Sequence, residues 1–468
     1  MTPRMWKHQR EALSFIDQRL TSVPGSGVGV WAGMGAGKSR ICLEAIRKYA
    51  LKRVLILAPK SVTEHVWADQ VEAWAPEYTC LSLGSGSVDA RCKKIQKHAD
   101  TERLIVVLNY EAVYRKQAIK VLGSLKWDGL VLDEAHRISR PGGKTSRTVR
   151  RLAEWIPFRL ALSGTPISGS QGPLGIWAIA AAIDPRVFQT SFSAFRAAYT
   201  TPTRWGDHDG ASAGKGGAVT PWKFHNLQDL QDRMASFSWR VETDDVLDLP
   251  EETDVVRSAK LEPAARRLYQ ELENDLITDL DEGSVTLSNA LVRLLRLQQL
   301  TGGSLRPDGK DDYVEVSTAK AALLADVIED FPLKKSLVVV CRFHHDMDVV
   351  ERVAIKAGRR CYELSGRKNE LRQWKSMSTA GHGPVLAMQI QSGGIGISLV
   401  ESDTMLWYSP DFSLTSYDQS RARIRRPGQR HPVTFVHLTI QNSVDQYIYA
   451  ALRDRTDLVE TTLEALRR

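Results

Sequence analysis

The segment Val28-Gly29-Val30-Trp31-Ala32-Gly33-Met34-Gly35-Ala36-Gly37-Lys38-Ser39 constrains this chain more than any other. An apolar run that reads as a strand enters a glycine-rich turn, and a helical pattern leaves it at Lys38 and continues to about Ala50. Such a turn lets backbone N–H groups approach phosphate oxygens, and the helix N-terminus adds a favourable dipole. Lys38 is placed to neutralise β/γ-phosphate charge and Ser39 to bind Mg²⁺. The strict pattern for such a loop would have glycine at Ala32. A glycine-rich turn that only caps a helix is the plainer reading, but it does not account for Lys-Ser at this place after a strand.

The same strand rhythm continues. Val54–Leu57, Leu104–Leu108, Leu130–Leu132 and Leu160–Leu162 are short apolar runs separated by helical stretches. It returns after residue 330 with Leu337–Val340, Val385–Met388, Met405–Tyr408 and Phe435–Leu438. Continuous apolar strands between helices indicate parallel sheets buried on both faces. The predicted fold is therefore α/β: two lobes, each a mostly parallel sheet flanked by helices, with a helical segment between them. The expected boundaries are 1–240 for the N-terminal lobe, 241–320 for the crossing and helical segment, and 321–468 for the C-terminal lobe. The helical segment shows an apolar face at Leu291, Leu294, Leu295 and Leu297. A stretch at about 205–222, rich in Gly, Ala and Ser, reads as a flexible loop.

Composition excludes some classes. The five cysteines are scattered without a C-x-x-C pair, and there is no H-E-x-x-H, so a disulfide framework or structural zinc is not expected. The most apolar stretch, Leu174–Ile183, is half the length of a membrane span and reads as a buried helix. No signal-peptide core opens the chain, and a cytoplasmic protein without a membrane partner is expected. The net charge of +8 suits a polyanionic partner without proving one. His344-His345-Asp346 follows a strand and reads as a helix start rather than a metal site.

Two further constellations carry chemistry. Asp133-Glu134-Ala135-His136 follows the strand Leu130–Leu132, at the sheet edge where ligands of parallel sheets bind. Asp133 can hold Mg²⁺ through water, and Glu134 can orient and deprotonate an attacking water. Taken alone, the tetrapeptide also fits an ordinary helix N-terminal turn. Gln419 to Gln429 contains Arg421, Arg423, Arg425 and Arg426. Arg423 and Arg426 are three apart and would share one face of a helix. By composition alone, that run reads as a solvated basic face or a phosphate-backbone patch rather than as charge delivered to a γ-phosphate.

In order and spacing, these segments resemble the Swi/Snf-type helicase-like ATPases of superfamily two, in a compact bacterial or viral form. Trp6-Lys7-His8-Gln9 resembles the N-terminal glutamine motif, in which Gln9 would read adenine. Ala32–Ser39 matches the first motif, with Gly33, Gly35, Gly37, Lys38 and Ser39 around the nucleotide. Ala58-Pro59-Lys60-Ser61 and Leu108-Asn109-Tyr110-Glu111 resemble strand-end loops that contact a nucleic-acid backbone. Asp133–His136 is the acidic box. Leu162–Ile167, with Thr165, resembles the coupling motif. Trp239–Glu242 and Asp245–Pro250 resemble the crossing between lobes, and Gln391–Leu399, with Ser392, Gly393 and Gly396, the fifth motif. Gln419–Gln429 resembles the sixth, with Arg423 and Arg426 as its arginine fingers. His8, Ser398, Ala422 and Arg425 depart from the usual residues; none of them handles phosphate.

The resemblance implies two RecA-like lobes and a nucleic-acid-stimulated ATPase using ATP and Mg²⁺. Its catalytic residues would be Lys38, Asp133, Glu134, Arg423 and Arg426, with His136 and Gln419 also at the nucleotide. Its partner would be DNA, double-stranded or branched, bound with little sequence specificity through Pro59, Lys60, Ser61, Asn109, Tyr110, Thr165, Ser392 and Gly393. A superfamily-two RNA helicase and an ATP-switched nucleic-acid clamp are the alternatives.

Overall fold

The computed structural model describes residues 4–63, 66–167, 172–188, 191–202, 222–281, 287–306, 313–390 and 397–455. The chain divides at Asp248–Leu249 into two compact units. Each is an α/β unit built on one parallel sheet.

The first sheet has seven strands: β1 Val28–Ala32, β2 Arg53–Ala58, β3 Thr79–Leu83, β4 Leu104–Asn109, β5 Gly129–Asp133, β6 Phe158–Ser163 and, after a short antiparallel pair β7 Thr200–Pro202 and β8 Trp222–Phe224, β9 Ser238–Val241. Their spatial order is β3-β4-β2-β5-β6-β1-β9, and every pairing is parallel. Strands β1, β4 and β5 are buried at every residue, which is why they read as unbroken apolar runs rather than alternating ones. Alternate side chains feed two cores. One face packs Leu55, Leu57, Val106, Leu130 and Leu132 against helices that include Lys116–Ser124, Lys144–Ala153 and Ile176–Ile183. The other packs Val54, Ile56, Val107 and Val131 against helices Lys7–Ser22, Lys38–Lys48 and Val66–Trp74. The apolar stretch ending at Ile183 is a buried helix, as its composition predicts.

The second sheet has six strands among the described residues. They are β10 Glu252–Ala259, then, after the short pair β11 Ser304–Leu305 and β12 Val314–Glu315, β13 Leu337–Cys341, β14 Cys361–Leu364, β15 Val385–Gln389, β16 Thr404–Trp407 and β17 Val433–Ile440. The order β10-β17-β16-β13-β15-β14 is again parallel throughout. The helices Pro263–Asp281 and Leu287–Thr301 lie between β10 and β13 in sequence and pack in the core of the second unit. Tyr269, Leu276, Leu294, Leu297 and Leu300 join Val338, Leu386, Met405 and Trp407 in one cluster. His344-His345-Asp346 opens the helix His344–Lys356, in agreement with the sequence reading.

A parallel sheet delivers all its strand C-termini to one edge. In the first unit that edge is divided. The turns after β5, β6, β1 and β9 carry Asp133-Glu134, Thr165, the glycine-rich loop and Thr243. Those after β2, β4 and β3 carry Pro59-Lys60, Asn109-Tyr110 and Gly84-Ser85.

Candidate active site

The glycine-rich loop is shaped by its neighbours. Gly37 caps the helix Lys38–Lys48 in a left-handed conformation, φ 81°, and a Cβ there would lie 2.2 Å from the Gln9 side-chain amide nitrogen. A Cβ on Gly33 would meet Thr243 Oγ1 at 2.0 Å. Both positions therefore exclude side chains. Thr243 donates to the Met34 carbonyl at 2.9 Å, and the Gly33 N–H donates to the Val241 carbonyl at 3.0 Å. The loop is thus braced from β9 and the turn after it. From the other side, the His8 ring nitrogen is 2.9 Å from the Ala36 carbonyl. The Gln9 carbonyl oxygen accepts the Trp6 N–H at 3.0 Å. The Lys38 ammonium donates to the carbonyls of Ala32, at 2.9 Å, and Gly33, at 3.3 Å. Ser39 is half-buried in the first helical turn.

The acidic pair is almost wholly buried, Asp133 at 8% and Glu134 at 3% exposed. Burial first, and then the neighbouring Glu134 charge, push the Asp133 carboxyl up to about 6. One Asp133 oxygen accepts the Trp67 indole N–H at 2.9 Å, which opposes that rise. Burial acts in the same upward sense on Glu134. The His136 hydrogen bond, followed by the charges of Lys38, His136 and Arg137, outweighs it and leaves Glu134 lowered. The two carboxyls are pushed apart, which is the usual basis for giving adjacent acids different work. Glu134 has φ 51°, a left-handed backbone that costs a residue with a side chain about 1–2 kcal/mol. The Tyr110 hydroxyl holds this turn by donating to the Asp133 carbonyl at 2.8 Å. Burial first, and then the Asp133 charge, raise the thiol of Cys42 on the helix Lys38–Lys48, whose first turn carries Ser39. A buried, incompletely compensated carboxylate beside that helix fits a hard divalent cation such as Mg²⁺.

A hydrogen-bonded path leads from the acidic pair to the next strand end. Glu134 Oε2 lies 3.3 Å from His136 Nδ1, which is 3.3 Å from Ser163 Oγ, and the Thr165 N–H donates to that hydroxyl at 3.1 Å. Glu134, His136 and Thr165 are therefore brought together through Ser163.

On the other half of the edge, side chains differ in availability. Lys60 is exposed, while Pro59 is buried and its carbonyl accepts from Thr63. Asn109 is 5% exposed and bonded to Arg91 at 2.6 Å and Glu111 at 2.7 Å. Tyr110 is 2% exposed and committed to Asp133. The side chains of Asn109 and Tyr110 thus build the loop. Arg91, which also donates to the Gly84 and Ser85 carbonyls, ties two strand ends together.

In the second unit, the helix Leu414–Arg421 stops at Arg421, capped by Ala422. Arg423 and Arg426 therefore do not share a helical face, which corrects the sequence expectation. They lie in successive turns closed by Arg423 N–H to Ser420 and Gln429 N–H to Arg426, and Gly428 at φ 101° cannot continue a helix. They are nonetheless neighbours. Burial and then the Arg426 charge lower Arg423 to about 10, and burial lowers Arg426. Arg426 donates to the Ile397 carbonyl at 3.2 Å. Arg421 points elsewhere, pairing with Asp254 at 2.6 Å and lying 3.8 Å over Phe435. Arg425 pairs with Glu252 at 3.2 Å. Gln419 is half-buried on the helix. Ser392, Gly393 and Gly396 fall outside the described residues, as does most of the stretch at 205–222.

Sequence reasoning missed Trp67, Thr243 and Arg91. Thr243 lies inside the segment read as the lobe crossing, between its two motif stretches. Trp67 and Arg91 carry no motif signal, because only the folded chain brings them to the edge.

Two parallel α/β units, with a phosphate loop after the first strand and a buried acidic pair two strands away, define a helicase-like ATPase of two RecA-like lobes. The chain belongs to the SNF2-related family, whose domain model matches residues 8–302, more than half its length. It is a Swi/Snf-type ATPase of superfamily two. It is 24% identical over 487 residues to "Putative protein p41" of Acyrthosiphon pisum secondary endosymbiont phage 1, covering 100% of this chain and 99% of that protein. It is 23% identical to the Danio rerio "Chromodomain-helicase-DNA-binding protein 1-like", covering 98% of this chain but 44% of the relative. Among solved structures, the "Sulfolobus solfataricus SWI2/SNF2 ATPase core in complex with dsDNA" aligns over 99% of this chain and 94% of that one, at 20% identity and TM-score 0.44. No described helix is long and apolar enough to cross a membrane.

Proposed function

We propose that this protein is a DNA-stimulated ATPase that converts ATP hydrolysis into movement along duplex DNA. The observation that carries the reading is the divided sheet edge, with the phosphate loop and acidic pair on one half, the Lys60 and Asn109 loops on the other, and the Tyr110 hydroxyl on the Asp133 carbonyl joining the two. Family membership and relatives named as helicase and DNA-binding proteins support the same reading.

Gly35 and Gly37 present backbone N–H groups to the phosphates while the Gly33 N–H stays on the Val241 carbonyl, and Lys38 exchanges its loop carbonyls for phosphate oxygens. Ser39 and Asp133 are the residues that would hold Mg²⁺, which when bound neutralises charge on the phosphates. Glu134, kept ionised by its neighbours, orients the attacking water and accepts its proton. His136 fixes the Glu134 carboxylate and passes its position to Ser163 and Thr165. Arg423 and Arg426 supply positive charge to the γ-phosphate during turnover. Lys60 and the loop amides near Asn109 hold the DNA backbone, which positions without reading sequence.

Glu134→Gln tests the chemistry. It is expected to keep nucleotide affinity and lose most hydrolysis, because an amide cannot accept the proton. Parent-like turnover in that variant would remove Glu134 from the mechanism.

A further inference from the structure

The stretch from Ala135 to Ala153 contains Arg137, Arg140, Lys144, Arg147, Arg150 and Arg151, and neither Asp nor Glu. Six positive charges lie in this short stretch of a chain whose net charge is +8. The helix Lys144–Ala153 explains their arrangement. Ser146, Val149 and Ala153 are buried, Val149 and Ala153 in the core cluster shared with the helix Ile176–Ile183. Lys144, Arg147 and Arg151 are exposed and repeat at helical spacing on the opposite face. Arg137 and Arg140, also exposed, continue the row toward the C-terminal edge of the sheet. Arg150 is the exception: it turns inward over Trp177 and donates to the Pro141 carbonyl.

Arg140, Lys144, Arg147 and Arg151 form no ion pair among the described residues. A helix of that charge usually carries acids at i±3 or i±4 to offset it. Here Arg140, Lys144 and Arg147 have no acid at either spacing, and Arg151 has only Glu154, the residue that caps the helix. The row also has a defined starting point. Arg137 lies 3.9 Å from Glu111, in the strand-end loop with Asn109 and Tyr110. It is therefore continuous with the half of the edge assigned above to the DNA backbone.

We infer that Arg140, Lys144, Arg147 and Arg151 form a side track that holds the phosphate backbone of duplex DNA leaving the strand-end loops. The inference rests on the reading of this protein as a DNA motor and extends its footprint along the outer face of the first unit. Lys144 to Arg151 spans about 10 Å of helix, at 1.5 Å per residue, or roughly three base-pair steps. The track therefore adds a few phosphate contacts and no base readout.

The test is the salt dependence of DNA affinity, compared between the parent and a variant with Arg140→Gln, Lys144→Gln, Arg147→Gln and Arg151→Gln. Arg137 is left in place because its charge acts on Glu134. Each lost phosphate contact should flatten the slope of log affinity against log salt by roughly 0.9. On a duplex of about 30 base pairs, a loss of three contacts is then worth a slope change near 2.7. A duplex too short to leave the strand-end loops should bind both proteins equally, and DNA-free ATPase should be unchanged. A control with Arg147→Lys and Arg151→Lys keeps the charge and should bind like the parent. An unchanged slope on the long duplex overturns the side track while leaving the motor reading intact. A parent that binds no duplex overturns the motor reading itself. Loss of affinity for polyglutamate, with DNA binding unaltered, would assign the face to an acidic protein segment and also overturn the inference.

Discussion

Trp67→Phe isolates the electrostatics of the acidic pair, because it removes one hydrogen bond and keeps most of a buried ring. The indole N–H donates to Asp133 at 2.9 Å, and Trp67 is 1% exposed. A hydrogen bond to a charged group is worth about 1.5–3 kcal/mol, which at 1.36 kcal/mol per unit raises the carboxyl by roughly 1–2 units. Asp133 already stands at about 6, so losing the indole donor should push it higher still. More of Asp133 is then protonated near neutral pH, and a bias of about 1.5–3 kcal/mol caps the expected loss of Mg²⁺-dependent nucleotide affinity at roughly 10- to 150-fold. Titrating a fluorescent ATP analogue with Mg²⁺ between about pH 6 and 9 reads this directly, with a chelator series as control. The affinity profile should move to higher pH, and the deficit should vanish at the alkaline end. Equal weakening at every pH would refute the argument and leave only a packing defect.

Other expectations follow from the same structure. Gly33→Ala places a methyl 2.0 Å from Thr243 Oγ1, so nucleotide affinity should fall at least tenfold; Gly33→Ala with Thr243→Gly should recover part of it, and no recovery would disprove the brace. Arg421→Ala removes the partner of Asp254 and the cation over Phe435, and should cost about 1–3 kcal/mol in a denaturant melt without abolishing ATP binding. Asp346 is raised by burial to about 7, against opposing effects of Ser409 and Lys320. Between its ordinary value near 3.8 and 7, the folded state holds a proton that the unfolded state has lost, so stability falls as pH rises through that window. Asp346→Asn should flatten the dependence, and an unchanged slope would place the titration elsewhere.

What was legible in the sequence divides along the sheets. Strands β1, β2, β4, β5 and β6, and β13, β15, β16 and β17, were all announced by apolar runs, because central parallel strands are buried on both faces. Within the two parallel sheets, the strands not announced, β3, β9, β10 and β14, are the four edges. An edge strand has one neighbour and meets solvent, so its residues are mixed. Glu252–Ala259 is largely exposed and carries Glu252, Asp254 and Arg257, which gives no hydrophobic period to read. The phosphate loop and acidic box were legible because each is contiguous in sequence at a strand end. Trp67, Thr243 and Arg91 reach the same edge from separate segments, a placement only the strand order determines. The spacing of Arg423 and Arg426 suggested a helix, but Gly428 and the turns before it decide the local backbone.

The most direct test of the central claim is the steady-state ATP hydrolysis rate without nucleic acid, and with duplex DNA of increasing length, single-stranded DNA, branched DNA or RNA. A DNA motor should be slow alone and strongly stimulated by duplex DNA, with the stimulation rising with duplex length before it levels off. A rate indifferent to DNA, or one stimulated by RNA and not by duplex DNA, would contradict the account.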